Sequence, residues 1–177
     1  MNPDTRIELL TSLIRDVPDF PKPGILFKDI TPLLGHAEGL RATIDILAER
    51  VAPWKPNMIA APEARGFIFG APLARALGVG FAPIRKPGKL PWKTIEESYA
   101  LEYGTDRVQM HEDAVAREHR VVVVDDLLAT GGTMGACCRL VEKTGAKVLG
   151  CAFVIELSFL SDRKNLGSRP VNSLITV

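Results

Sequence analysis

The chain has 177 residues, 46% of them hydrophobic, 24% charged and 6% aromatic, which are the proportions of an ordinary globular protein able to bury a core without disulfide or metal staples. Twenty-two basic and 21 acidic residues leave a formal charge of +1, so the basic excess of a general nucleic-acid binder is missing. Cys137, Cys138 and Cys151 fit no zinc spacing, the apolar run over 148–155 is too short to cross a bilayer, and the N-terminus has no signal-like pattern; the expectation is one soluble, cytoplasmic domain over 1–177 with reduced cysteines.

Thr5 and Glu8 form a capping-box pattern, and Ile7, Leu10, Ile14 and Val17 recur at helical spacing, which predicts an amphipathic helix reaching Val17. Pro18, Pro21, Pro23 and Gly24 then predict an irregular segment over 19–32 that carries Phe20, Leu26 and Phe27. A second helix rests on Leu40, Ile44, Leu47 and Val51 and stops at Pro53. Beyond it the pattern alternates: a strand over 58–61, a helix over 66–77 and a strand over 79–84. After a long interruption come the valines 121–124, a glycine turn, a helix to Thr144 stopped by Gly145, and a strand over 148–155. Strands alternating with helices imply an α/β fold with a parallel sheet and helices on both faces, and four consecutive valines suit a central strand covered on both sides. The interruption sorts its charges: 85–93 holds four cations and no acid, 94–106 four acids and no cation. Residues 98–110 alternate weakly, as a hairpin with Gly104 at its tip, and a loop of this length inside one domain points to function or mobility. His36, His111 and His119 are scattered and suggest no metal cluster.

The most informative stretch is 120–133, RVVVVDDLLATGGT, read as strand, acid pair, small glycine-rich turn and helix start. Ligands of open α/β sheets bind at the carboxyl ends of the strands, where this segment puts Asp125 and Asp126. Ala129, Thr130, Gly131, Gly132 and Thr133 follow with small side chains and backbone N–H groups at a helix N-terminus, a turn suited to a phosphate dianion. The Walker pattern is excluded because no lysine follows the glycines, and Gly78-Val79-Gly80 precedes a strand where a dinucleotide fingerprint would follow one.

Residues 120–133 resemble the phosphoribosyl-pyrophosphate signature of type I phosphoribosyltransferases, in the form carried by members that act on adenine. FPKPGILFKDIT (20–31), EARGFIFG (63–70), RKPGKLP (85–91) and YALEYG (99–104) match the same family in the same order. The resemblance implies a parallel-sheet core with an N-terminal hood over about 1–35 and a flexible catalytic loop over about 85–110. It further implies transfer of the phosphoribosyl group from phosphoribosyl pyrophosphate to adenine, with Mg²⁺ held mainly by the pyrophosphate and water, in a homodimer without nucleic-acid or membrane partners. The alternatives are a phosphoribosyl-pyrophosphate-sensing regulator on the same fold and an enzyme for another purine.

Roles follow from the resemblance, position by position. Ala129 to Thr133 match the 5′-phosphate turn, and Asp125 and Asp126 the acids that accept from the ribose hydroxyls, acting as acceptors without charge partners. Arg65, Lys86 and Lys89 match pyrophosphate contacts, and Arg85 a catalytic position at the start of the basic loop. Arg65 sits in a loop where the family often has a cis peptide bond, here between Glu63 and Ala64. Glu102 resembles the glutamate that manages the proton at purine N7, with Tyr103 closing the lid. Leu26, Phe27 and Lys28 match the adenine site, where Phe27 can stack on the base. Read without the family, Arg65 is a surface arginine, 85–93 a solvated charge run, Glu102 an exposed hairpin residue and Phe27 a packing residue. Lys28 stands where arginine is more common, and Pro62 where glycine is. Residues 155–162 contain no lysine of the kind that reads a 6-oxopurine, which favours a 6-aminopurine.

Overall fold

The protein, described by a computed structural model over residues 3–100, 104–160 and 163–177, divides into two units, 1–46 and 47–177. In the first, helix α1 (Pro3–Ser12) ends earlier than the apolar spacing predicts, and Val17 lies in strand β1 (Arg15–Pro18). Pro18 disfavours helical backbone at the residue before it, and the extended chain pairs antiparallel with β2 (Leu26–Asp29), Val17 opposite Phe27. The connecting turn carries a cis Phe20–Pro21 bond, and the Asp19 carboxylate accepts from Gly24 N–H at 2.8 Å. Asp29 then accepts from the backbone and hydroxyl of Thr31 at 2.9 and 2.6 Å, opening the short helix α2 (Thr31–Gly35). The segment expected to be irregular over 19–32 thus contains a strand and the start of a helix. Helix α3 (Ala37–Val51) is the second predicted helix; it begins in this unit and gives way to a 3₁₀ turn at Ala52–Trp54.

The second unit continues with β3 (Met58–Pro62), α4 (Arg65–Leu77), β4 (Gly80–Ile84), the hairpin β5 (Thr94–Ala100) and β6 (Thr105–His111), then β7 (Arg120–Leu128), α5 (Gly132–Glu142), β8 (Lys147–Glu156), a 3₁₀ turn at Lys164–Leu166 and β9 (Val171–Thr176). Five strands form a wholly parallel sheet in the order β4-β3-β7-β8-β9, with β7, bearing the four valines, at its centre. All four valines are fully buried, each contributing roughly 1.5–3 kcal/mol. Ala60 of β3 joins the core cluster of Met134, Cys137 and Leu140 from α5, whereas a Cβ on Gly70 of α4 would stand 2.8 Å from the next residue, Ala61. Successive strand residues face opposite sides, so α4 and α5 cover opposite faces of the sheet, as predicted.

Two departures bear on the site. Strand β7 runs four residues past its valines, so Asp125 and Asp126 belong to the strand itself. Strand β9, paired parallel to β8, comes from the C-terminal stretch, where the sequence VNSLIT shows no clear period. Among the described residues no helix is long and apolar enough to cross a membrane.

Candidate active site

A cavity of about 390 Å³ opens at the carboxyl ends of β3 and β7. Its floor is the end of β7, its far wall the turn 129–133 with the first residues of α5, and its near wall Glu63, Ala64, Arg65 and Lys86. Three of the expected groups therefore meet in one space: the acid pair, the phosphate turn and two of the pyrophosphate cations.

The turn is built to present backbone donors. Gly131 has φ of +75°, a left-handed conformation that favours glycine, and it caps α5 without a side-chain hydrogen bond. The N–H groups of the first helical turn, from Gly132 onward, have no carbonyl partner within the helix, and they line the cavity together with Thr130 and Thr133. Such an end carries a partial positive charge and suits a phosphate. A Cβ on Gly132 would stand 3.7 Å from Ala100 O, so the hairpin strand that leads to Glu102 ends beside the turn.

The acid pair is split by the alternation of the strand. Asp126 is only 4% exposed and takes a 2.5 Å hydrogen bond from Arg65 Nε, the first residue of α4. The acid pair is therefore not free of charge partners, because strand alternation turns Asp126 toward the helix that starts with Arg65. Burial first, and the charge of Asp126 second, push the Asp125 carboxyl well above its ordinary range, against the 2.9 Å hydrogen bond that Asp126 N–H donates to it. Helix α4 can approach so closely because its second residue is glycine: a Cβ on Gly66 would lie 3.1 Å from Val124 O and 3.1 Å from Asp125 Oδ1.

The near wall is held by a carboxylate that sequence reasoning did not single out. Glu63 accepts from Arg85 Nε at 2.7 Å and from Lys86 N–H at 2.8 Å. Burial works to raise this carboxyl, but those two contacts outweigh it and hold it below its usual range. The bond from Glu63 to Ala64 is cis, as the family resemblance implies. Arg85 also donates to Lys89 O at 3.1 Å; it and the exposed Lys89 stand outside the cavity lining. Lys86 does reach the cavity, its ammonium bonded to Asp106 and, at 2.9 Å, to Tyr99 OH. Tyr99 and Asp106 face each other across the hairpin, and this cross-strand register is the signal from which the pair could have been found.

Leu26, Phe27 and Lys28 lie on β2 of the first unit: Leu26 is exposed, Phe27 meets Phe20 edge-on at 5.2 Å, and Lys28 Nζ bonds Asp16 at 2.6 Å. Glu102 and Tyr103 fall outside the described residues.

Residues 30–172 match the family model of the phosphoribosyl transferase domain. An adenine phosphoribosyltransferase of Desulfitobacterium hafniense is 58% identical over 92% of this chain and 94% of its own length. Among solved structures, the adenine phosphoribosyltransferase of Thermoanaerobacter pseudethanolicus superposes with a TM-score of 0.94 at 54% identity, covering 97% of this chain and 99% of its own. That of Saccharomyces cerevisiae, complexed with an imino-altritol bisphosphate and adenine, gives 0.90 at 39% identity, over 97% of this chain and 99% of its own. The chain belongs to the phosphoribosyl transferase family and, within it, to the adenine phosphoribosyltransferases.

Proposed function

We propose that the chain transfers the 5-phosphoribosyl group from phosphoribosyl pyrophosphate to N9 of adenine, releasing AMP and pyrophosphate in purine salvage. The observation that carries this reading is the single cavity in which a phosphate-holding helix start, an acid pair and the cations Arg65 and Lys86 converge.

In this reading the backbone N–H groups of 129–133 and the hydroxyls of Thr130 and Thr133 hold the 5′-phosphate and fix the sugar in place. Asp125 and Asp126 accept from the ribose hydroxyls and supply negative field as the anomeric carbon becomes cation-like. Arg65, Lys86 and Lys89 attract the pyrophosphate, and Arg85, steadied by Glu63, adds its charge as the C1–oxygen bond breaks. Leu26, Phe27 and Lys28 receive the adenine, and its N9 forms the new bond to the anomeric carbon. Glu102 handles the purine proton at N7, and Tyr103 helps to exclude water, which would otherwise capture the cation-like sugar.

Mg²⁺, held mainly by the pyrophosphate and water, would supply positive charge to the leaving group when bound. The donor set fits an ion carried by the substrate: the cations Arg65 and Lys86 and the 129–133 turn line the cavity, ready for the phosphate oxygens. The protein is read as a cytoplasmic homodimer with no nucleic-acid or membrane partner.

The test is to incubate the purified protein with adenine, phosphoribosyl pyrophosphate and Mg²⁺ and to separate the products. AMP and pyrophosphate should appear in equal amounts; binding of phosphoribosyl pyrophosphate with no AMP would instead revive the regulator.

A further inference from the structure

The phosphate turn does not stand by itself. Against it runs the segment 163–169, which belongs to none of the motifs described above. Arg163 forks onto Glu156 at the end of β8, Nε to Oε1 at 2.9 Å and a terminal nitrogen to Oε2 at 2.8 Å. Glu156 is only 4% exposed and takes a further 2.6 Å hydrogen bond from Ser173 on β9. At the other end Arg169 forks onto Glu142 in the last turn of α5, with contacts of 2.7, 2.8 and 3.0 Å, and donates to Leu166 O at 2.8 Å. Leu166, between the two clamps, is fully buried.

The middle of this clamped segment touches the turn. Asn165 Nδ2 donates to Thr130 O at 2.8 Å. A Cβ on Gly135, in the first turn of α5, would stand 2.4 Å from Asn165 O, so helix and segment are in backbone contact. A Cβ on Gly131 would lie 3.6 Å from both Asn165 Cβ and Leu166 Cγ. The turn is thus braced by residues that stand outside the cavity lining.

We propose that residues 163–169 form a strut that keeps the 129–133 turn in its phosphate-ready shape, with Asn165 as a positioning residue acting through the Thr130 carbonyl. Rigid placement matters because a loop that must be ordered when the ligand arrives binds it more weakly. The inference rests on the reading of 129–133 as the 5′-phosphate site.

The experiment compares AMP, which carries a 5′-phosphate, with pyrophosphate, which does not use the turn, by calorimetric titration of Asn165→Ala, Asn165→Asp and Gly135→Ala. Asn165→Ala removes one neutral hydrogen bond, so AMP should bind about fivefold more weakly and KM for phosphoribosyl pyrophosphate should rise by a similar factor. Its kcat and its affinity for pyrophosphate should stay within about twofold, the scatter expected of a hydrogen-bond effect. Asn165→Asp keeps the shape and removes the donor, so it should weaken AMP at least as much. Gly135→Ala pushes the segment away and should give the same selective loss. Unchanged AMP binding in the two Asn165 variants, or equal losses for AMP and pyrophosphate, would overturn the strut. A wild-type protein that fails to bind AMP would overturn the reading of the turn itself.

Discussion

Asp125 and Asp126 adjoin on β7, yet Asp126 shares its charge with Arg65 while Asp125, half-buried, stands next to a like charge. Their isosteric amides should therefore act in opposite directions. The folded-state value of Asp125 is raised, so its ionisation works against folding: stability is lost as pH rises through the interval above the ordinary carboxylate range and is regained below it. Asp125→Asn should raise Tm at pH 7, and the gap from wild type should close as the pH falls to about 4, the ordinary aspartate value. A thermal melt series across pH checks this, with no dependence on pH as the contrary result. Asp126→Asn removes the charged hydrogen bond to Arg65 and should cost about 1–2 kcal/mol, the low end for such a bond because Arg65 is half exposed; urea unfolding measures it. Both variants should lower kcat/KM for phosphoribosyl pyrophosphate, since each removes an acceptor for the ribose hydroxyls.

At the scale of elements, the site depends on how closely α4 sits on β7. Gly66→Ala would put a methyl 3.1 Å from the Val124 carbonyl, which cannot give way. The expected cost is about 1–3 kcal/mol, and for a chain of this size each kcal/mol lowers Tm by roughly 2–4 °C. The hairpin β5–β6 leads to Glu102, and Glu102→Ala should lower kcat by about 10²–10⁴ while leaving phosphoribosyl-pyrophosphate affinity nearly unchanged. Steady-state kinetics beside equilibrium binding separates the two. The strands and helices that build the cavity were legible because their patterns are local: four valines before two acids, glycine after a turn, alternation before periodicity. The first helix was read too long because Leu10, Ile14 and Val17 keep helical spacing even though Val17 pairs across to Phe27. Long-range partners left no such trace. Nothing near Glu63 announces Arg85, and nothing near Thr130 announces Asn165, because each contact is made by the folding back of the chain.

For the molecule as a whole, near-neutral charge and a phosphate-rich substrate are compatible because the charges are sorted locally. Two of the four cations of 85–93 are held by carboxylates, Arg85 by Glu63 and Lys86 by Asp106, so positive charge gathers here without a net excess in the chain. If the chain assembles as a homodimer, light scattering should return about twice the 19.3 kDa chain mass; the monomer mass would remove that part of the reading.

The central claim is that the cavity serves transfer to a 6-aminopurine. It is tested most directly by kcat/KM for adenine, hypoxanthine and guanine at saturating phosphoribosyl pyrophosphate and Mg²⁺. A site that reads the amino group by hydrogen bonds should favour adenine by at least about 10²-fold. Equal or faster turnover of hypoxanthine or guanine would contradict it.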